Sequence, residues 1–117
     1  MPEDGRRPAE TAELRRLRRR IDALDRKLVA LINERAELAR EAGRAKSAAG
    51  RTAIRDADRE REVLLRVSIS NEGPMPQADL LAMYRRLFAA TRALETRDRQ
   101  RERERARARE DRGDEPT

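Results

Sequence analysis

The chain has 117 residues, one domain by length, and 44% of them are charged against 37% apolar, with one Tyr, one Phe and no Trp. It contains no cysteine and no histidine, which excludes a disulfide framework, a thiol nucleophile, a zinc knuckle and the commonest general base. The net charge of +6 sits mostly in the middle: residues 14–95 hold nineteen Lys or Arg against twelve acids, whereas residues 1–13 and 96–117 are nearly balanced. A basic central region points to an anionic partner, either nucleic acid or a small acid. Alternating β-type runs are absent, so the expected class is all-α. With neither a signal-peptide core nor an apolar run long enough to span a bilayer, a cytoplasmic protein with no membrane partner is expected.

Residues 1–10, with two prolines and a glycine, read as a flexible leader. A first helix is predicted from about Thr11 to about Lys46. Leu14, Leu17, Ile21, Leu24, Leu28, Leu31, Arg35, Leu38, Ala42 and Ala45 follow a 3-4-3-4 spacing, the seam of a helix packed on other helices. Gly43 is a tolerated weak point in it, and the loop 47–55 with Gly50 ends it. A second helix is predicted from the N-cap Asp56 to about Ser70. The segment Asn71-Glu-Gly-Pro-Met-Pro76 reads as a turn, and Pro76 suits the start of a third helix bearing Leu80, Tyr84, Leu87 and Phe88. The helical domain is expected to occupy residues 11–96. Residues 97–117 form a charged tail without an apolar stripe, either a helix extension or disordered.

The first helix, at roughly 1.5 Å per residue, would be about 50 Å long, against a radius of gyration near 13–14 Å for a compact chain of this size. Two shorter helices of the same chain cannot cover such a seam. The economical arrangement is an intertwined homodimer in which long helices pair.

Arg35 breaks the seam. A guanidinium cannot be neutralised, and its burial without a partner costs several kcal/mol, so a carboxylate of the protein or of a ligand should meet it. Lys46, eleven residues on, is rotated by only about 20° and shares its face. The stripe Val63, Val67 runs back to Arg59, Glu60 and Asp56, and Tyr84, Phe88 runs on to Thr91 and Glu95 by 3/4 spacing. Polar intrusions on all three helices describe a mixed-charge cavity inside a bundle. The alternative is an internal salt-bridge network joining Arg35 and Lys46 to Asp56, Glu60 and Glu95. Arg18 lies about 26 Å from Arg35 along the axis; by sequence alone it reads as a surface residue, within reach of a partner's cavity only in an antiparallel dimer.

The stretches Leu17-Arg-Arg-Arg-Ile-Asp-Ala-Leu-Asp25, Leu31-Ile-Asn-Glu-Arg35-Ala-Glu-Leu-Ala39, Gly43-Arg-Ala-Lys46, Arg55-Asp-Ala-Asp-Arg-Glu-Arg61 and Asn71-Glu-Gly-Pro74, in this order, resemble the all-helical class of chorismate mutases. The resemblance covers Leu14 to Glu95. It implies a dimer with two sites that rearranges chorismate, a small dianion, to prephenate, in the branch leading to phenylalanine and tyrosine. By the same resemblance, Arg35 would hold one substrate carboxylate and the partner's Arg18 the other. Lys46 would bond the ether oxygen and a carboxylate, while Asp56 and Glu60 would receive the ring hydroxyl with Arg59 in support. Thr91 would line that end, and Glu95 would face the ether oxygen opposite Lys46. Lys46, Glu95 and Arg35 would be the catalytic groups, with no cofactor and no metal. The sequence departs from the family pattern at Glu95, where glutamine is common, and at Thr91, where serine is common.

A unimolecular rearrangement needs confinement and charge stabilisation, so a chain without His or Cys lacks nothing for it. On this reading Arg35 is expected to stay unpaired or water-bridged until ligand arrives. Relatives of the same fold act on 4-amino-4-deoxychorismate, or cleave isochorismate to salicylate and pyruvate; the residues at the ring-hydroxyl end, Asp56, Glu60 and Thr91, should decide among them, and chorismate is the expected substrate. A reading of another class is a non-catalytic basic helical interaction module. Binding to nucleic acid is not expected, because stacking aromatics are nearly absent and the unusual charges point inward. No regulatory domain is recognisable after Glu95, so end-product control by a ligand domain on this chain is not expected.

Overall fold

Thr11 accepts a hydrogen bond from the Leu14 N–H through its hydroxyl, 3.1 Å away, and the first helix begins one residue later. The computed structural model describes residues 8–113; the greater part of the expected leader, residues 1–7, and residues 114–117 lie outside the described range. Three helices make up the described chain: α1 (Ala12–Ala48), α2 (Ala57–Ser70) and α3 (Gln77–Asp111), with no strand among the described residues. α3 continues through the charged segment after Thr96 without a break.

Each helix end has a local cause. α1 stops where Gly50 adopts a φ of +81°, a conformation open to glycine at little cost, while Arg51 donates its N–H to the Lys46 carbonyl at 2.8 Å. Asp56 caps α2, its Oδ1 accepting from the Arg59 N–H at 3.0 Å. Between α2 and α3, Asn71 organises the turn: its Oδ1 accepts from the Gly73 N–H at 3.0 Å and its Nδ2 donates to the Met75 carbonyl at 3.1 Å. Pro76, which has no N–H to leave unsatisfied, stands at the N-cap of α3.

The chain divides into two units, Met1–Ala36 and Glu37–Thr117. In the first, the expected seam is present on α1, and its Ile21, Leu24, Leu28 and Leu31 keep 55–62% of their surface exposed. In the second, α2 packs on α3. Phe88 is buried there, Tyr84 meets its ring edge-on at 6.2 Å, and Val63, Leu64, Val67, Leu80, Leu81 and Leu87 are half-buried around them. The 3.6-residue period of both stripes thus turns one face of each helix toward the other. The C-terminal turns of α1 belong to this second unit, and Gly43 is their buried residue.

Candidate active site

Within Glu37–Thr117 the expected polar residues gather in two places. One lies between the end of α1 and α3. Glu95 packs directly on Gly43, so that a Cβ built at Gly43 would come within 3.3 Å of the Glu95 Cδ and 3.4 Å of its Oε1. Burial raises the pKa of Glu95 above the ordinary carboxylate value; the positive charges of Lys46 and Arg99 oppose the shift and Asp98 reinforces it. A cavity of about 310 Å³ opens beside this pair, bordered by Arg40, Arg44, Ser47, Asp98 and Arg99. Arg40 clamps Asp98 through two parallel hydrogen bonds, Nε to Oδ2 and Nη2 to Oδ1, both 2.8 Å, and donates through Nη1 to Glu37 at 2.8 Å. The hydrogen bonds to Asp98 and Glu37 hold the Arg40 guanidinium charged still more firmly than usual. The Arg40 bonds likewise pull the Asp98 carboxyl below its ordinary range. Arg99 donates to the Thr52 carbonyl in the loop after α1.

The other gathering lies between the start of α2 and α3. Glu60 Oε2 is 2.5 Å from Arg92 Nη1, and Arg55 Nε stands 3.8 Å from Oε1. Asp56 combines its cap bond with a looser approach by Arg51, 3.8 Å away. Thr91, half-buried, donates its hydroxyl hydrogen to the Leu87 carbonyl at 2.8 Å, which leaves the oxygen as an acceptor toward its surroundings. A cavity of about 410 Å³ runs along this junction, with Leu64 and Phe88 for its apolar part and Arg55, Glu60, Arg85 and Arg92 for its polar part.

Two expectations change. Arg59, placed on the inward face by spacing, is exposed and pairs with Glu62 of its own helix at 3.2 Å; a first-turn residue has a long stem that swings toward the nearest carboxylate. Arg35, half-buried on α1, already has an interaction within the chain, so it is not the unpaired cation expected from its place in the seam. A fork with five donors satisfies some of them locally even where its main partner comes from outside. Arg18 is exposed on α1 and pairs with Glu10 in the same unit. The salt-bridge network imagined from the sequence is built largely from other cations: Glu60 and Asp56 are met by Arg92, Arg55 and Arg51.

Arg92, Arg40, Asp98 and Arg99 were not among the residues expected at the site. For Arg92 the signal existed, since Tyr84, Phe88 and Arg92 are successive i+4 neighbours on α3; the stripe forks there, one branch leading to Thr91 and the other to Arg92. Asp98 lies three residues after Glu95, on the same face, but inside a run so charged that no single residue stands out.

A family model for chorismate mutase type II matches residues 17–96. The chain belongs to the type II chorismate mutase family. Among relatives, the bifunctional chorismate mutase/prephenate dehydratase of Aquifex aeolicus (strain VF5) is 38% identical over 87 residues, covering 71% of this chain and 24% of that protein. The enzyme of the same name from Escherichia coli (strain K12) is 55% identical over 51 residues, 44% of this chain and 13% of that protein. The chain therefore spans about a quarter or less of the length of these bifunctional relatives. A solved structure of chorismate mutase (form II) from Thermus thermophilus aligns with a TM-score of 0.68 at 30% identity, covering 73% of this chain and 96% of that one. In this family member the matched segment contains Arg18, Arg35, Lys46, Asp56, Arg59, Glu60, Thr91 and Glu95.

Proposed function

We propose that this chain is a chorismate mutase, converting chorismate to prephenate without a cofactor. The observation that carries the proposal is that the family match at residues 17–96 spans every polar residue that interrupts an apolar helix face. The reaction breaks one C–O bond and forms one C–C bond within a single molecule, so no group is transferred to the protein. What the protein supplies is confinement of a flexible dianion in its reactive chair and stabilisation of the charge that grows on the ether oxygen.

In the proposed arrangement Arg35 holds one carboxylate of the substrate, and Arg18 of the partner subunit holds the second. Lys46 and Glu95 address the ether oxygen from opposite sides. The raised pKa of Glu95 favours the protonated carboxyl, the form able to donate a hydrogen bond there. Asp56 and Glu60 accept the ring hydroxyl, Thr91 lines the same end, and Arg59 supports them from the rim. Helix-borne side chains suit the task, because positioning within a fraction of an ångström is what accelerates a unimolecular step. The functional unit in this proposal is an intertwined homodimer, supported by the uncovered leucine seam of α1, working in the cytoplasm. Residues 11–96 would hold the catalytic machinery, with the charged end of α3 as an appendage.

The test is incubation with chorismate, following the loss of its ultraviolet absorbance. Turnover by the wild-type chain, abolished in Arg35→Ala with helicity retained, is the expected result. A folded wild-type protein that leaves chorismate unchanged overturns the proposal and favours a non-catalytic interaction module.

A further inference from the structure

Glu60 is expected to meet the substituent on the substrate ring, yet a carboxylate alone does not say which substituent. A hydroxyl and an ammonium both donate hydrogen bonds to it, and an unaccompanied carboxylate would favour the ammonium by charge. The groups around Glu60 decide the matter. Arg92 of α3 touches Oε2 and Arg55 of the α1–α2 loop approaches Oε1. Arg85 of α3 and Arg61 of α2 line the same cavity, Arg61 also pairing with Asp58 of its own helix. Asp56, the other carboxylate of α2 assigned to this end, caps the helix and is faced by Arg51. The cavity lining thus presents four guanidiniums and one carboxylate.

Resting on the mutase reading above, we propose that Arg92, by compensating Glu60 from within this cavity, makes the ring end of the site selective for a neutral hydroxyl over an ammonium, and so for chorismate over 4-amino-4-deoxychorismate. Arg92 is half-buried, its side chain 30% exposed, and is fixed on a long helix. Glu60 with Arg92 on one oxygen remains an acceptor for the hydroxyl through its remaining lone pairs. An ammonium at the same place gains little from a carboxylate already matched and meets the field of Arg92, Arg55 and Arg85. At an effective dielectric near 20, one uncompensated like charge about 5 Å away is enough for a penalty of tenfold or more.

The experiment measures kcat/KM for chorismate and for 4-amino-4-deoxychorismate with the wild-type chain, Arg92→Gln and Arg92→Lys, across neutral and alkaline pH. The wild type should favour chorismate, Arg92→Gln should narrow the preference by about tenfold, and Arg92→Lys, which keeps the charge, should retain most of it. In the wild type the preference should also shrink as rising pH deprotonates the substrate amine, a readout that needs no variant to fold. A preference unchanged by Arg92→Gln, or a wild-type preference indifferent to pH, overturns the role of Arg92 while leaving the mutase reading intact. Failure of the folded wild type to turn over either substrate overturns the mutase reading and this inference with it.

Discussion

Glu95 rests on Gly43 at a distance that leaves no room for a methyl group without movement: the added carbon would sit 3.3 Å from the Glu95 Cδ. Gly43 is the buried residue of α1, and its role is to let a carboxyl-bearing side chain approach the helix backbone. Exchange for alanine removes the conformational handicap of a helical glycine, a gain of up to about 1 kcal/mol, and asks a flexible side-chain end to move by a few tenths of an ångström. Gly43→Ala should therefore keep or slightly raise resistance to denaturant while lowering kcat, because Glu95 would be displaced from its proposed place at the ether oxygen. A variant that is less stable yet fully active would show the contact to be structural alone.

Burial holds the Glu95 proton more firmly in the folded chain than in the unfolded one, whose ordinary value is 4.5. The associated stability is complete below that value and is lost as pH rises through the higher folded pKa. Denaturation midpoints of the wild type should fall across that window, and those of Glu95→Gln should fall less. Activity should follow the same group, with kcat/KM declining as Glu95 ionises and Glu95→Gln staying level. Flat profiles for both proteins would remove Glu95 from the proposed chemistry.

Asp56 has two duties, one visible in the fold and one proposed for the reaction. Its Oδ1 caps α2 through the Arg59 N–H at 3.0 Å, so Asp56→Ala should cost about 1 kcal/mol of stability. Serine caps a helix nearly as well but offers no carboxylate. Asp56→Ser should accordingly unfold at nearly the wild-type denaturant concentration, with kcat/KM lower by about tenfold or more if the carboxylate receives the ring hydroxyl. Wild-type kcat/KM in Asp56→Ser would leave Asp56 with the cap alone.

Periodicity made the three helices legible because their apolar residues are few and almost all lie on stripes; Asp56 and Gly50 then marked ends by chemistry specific to caps and turns. The polar intrusions were legible for the same reason, since Lys46, Glu60 and Glu95 stand out against an apolar face. Arg40 and Asp98 did not stand out, although they form a doubly hydrogen-bonded ion pair, with two bonds of 2.8 Å. Spacing reports which face a residue occupies, whereas which of many arginines takes a given carboxylate depends on side-chain reach across helices. Arg59 shows the converse: spacing puts it on the inward face, whereas its side chain lies exposed beside Glu62. In a chain that is 44% charged, partner choice is the part that pattern cannot supply.

The leucine seam of α1 is left open to solvent, with Leu24 and Leu28 more than half exposed. Each such side chain is worth roughly 1.5–3 kcal/mol when buried, and a second copy of the same helix is the proposed cover. Leu24→Glu with Leu28→Glu should sediment as a monomer at concentrations where the wild type is a dimer. A sharper consequence concerns how the sites are shared. Arg18→Ala and Arg35→Ala should each be inactive, since in the proposed dimer each would empty one carboxylate clamp in both sites. In a dimer of one chain of each kind, one site would combine an intact Arg35 with an intact Arg18 of the partner subunit, and the other site would lack both. Mixing the two inactive proteins under conditions of subunit exchange should restore about a quarter of wild-type activity, half of the dimers being mixed and half of their sites complete. A mixture that stays inactive despite demonstrated exchange would mean that both arginines serve the same chain's site, and the intertwined arrangement would be wrong.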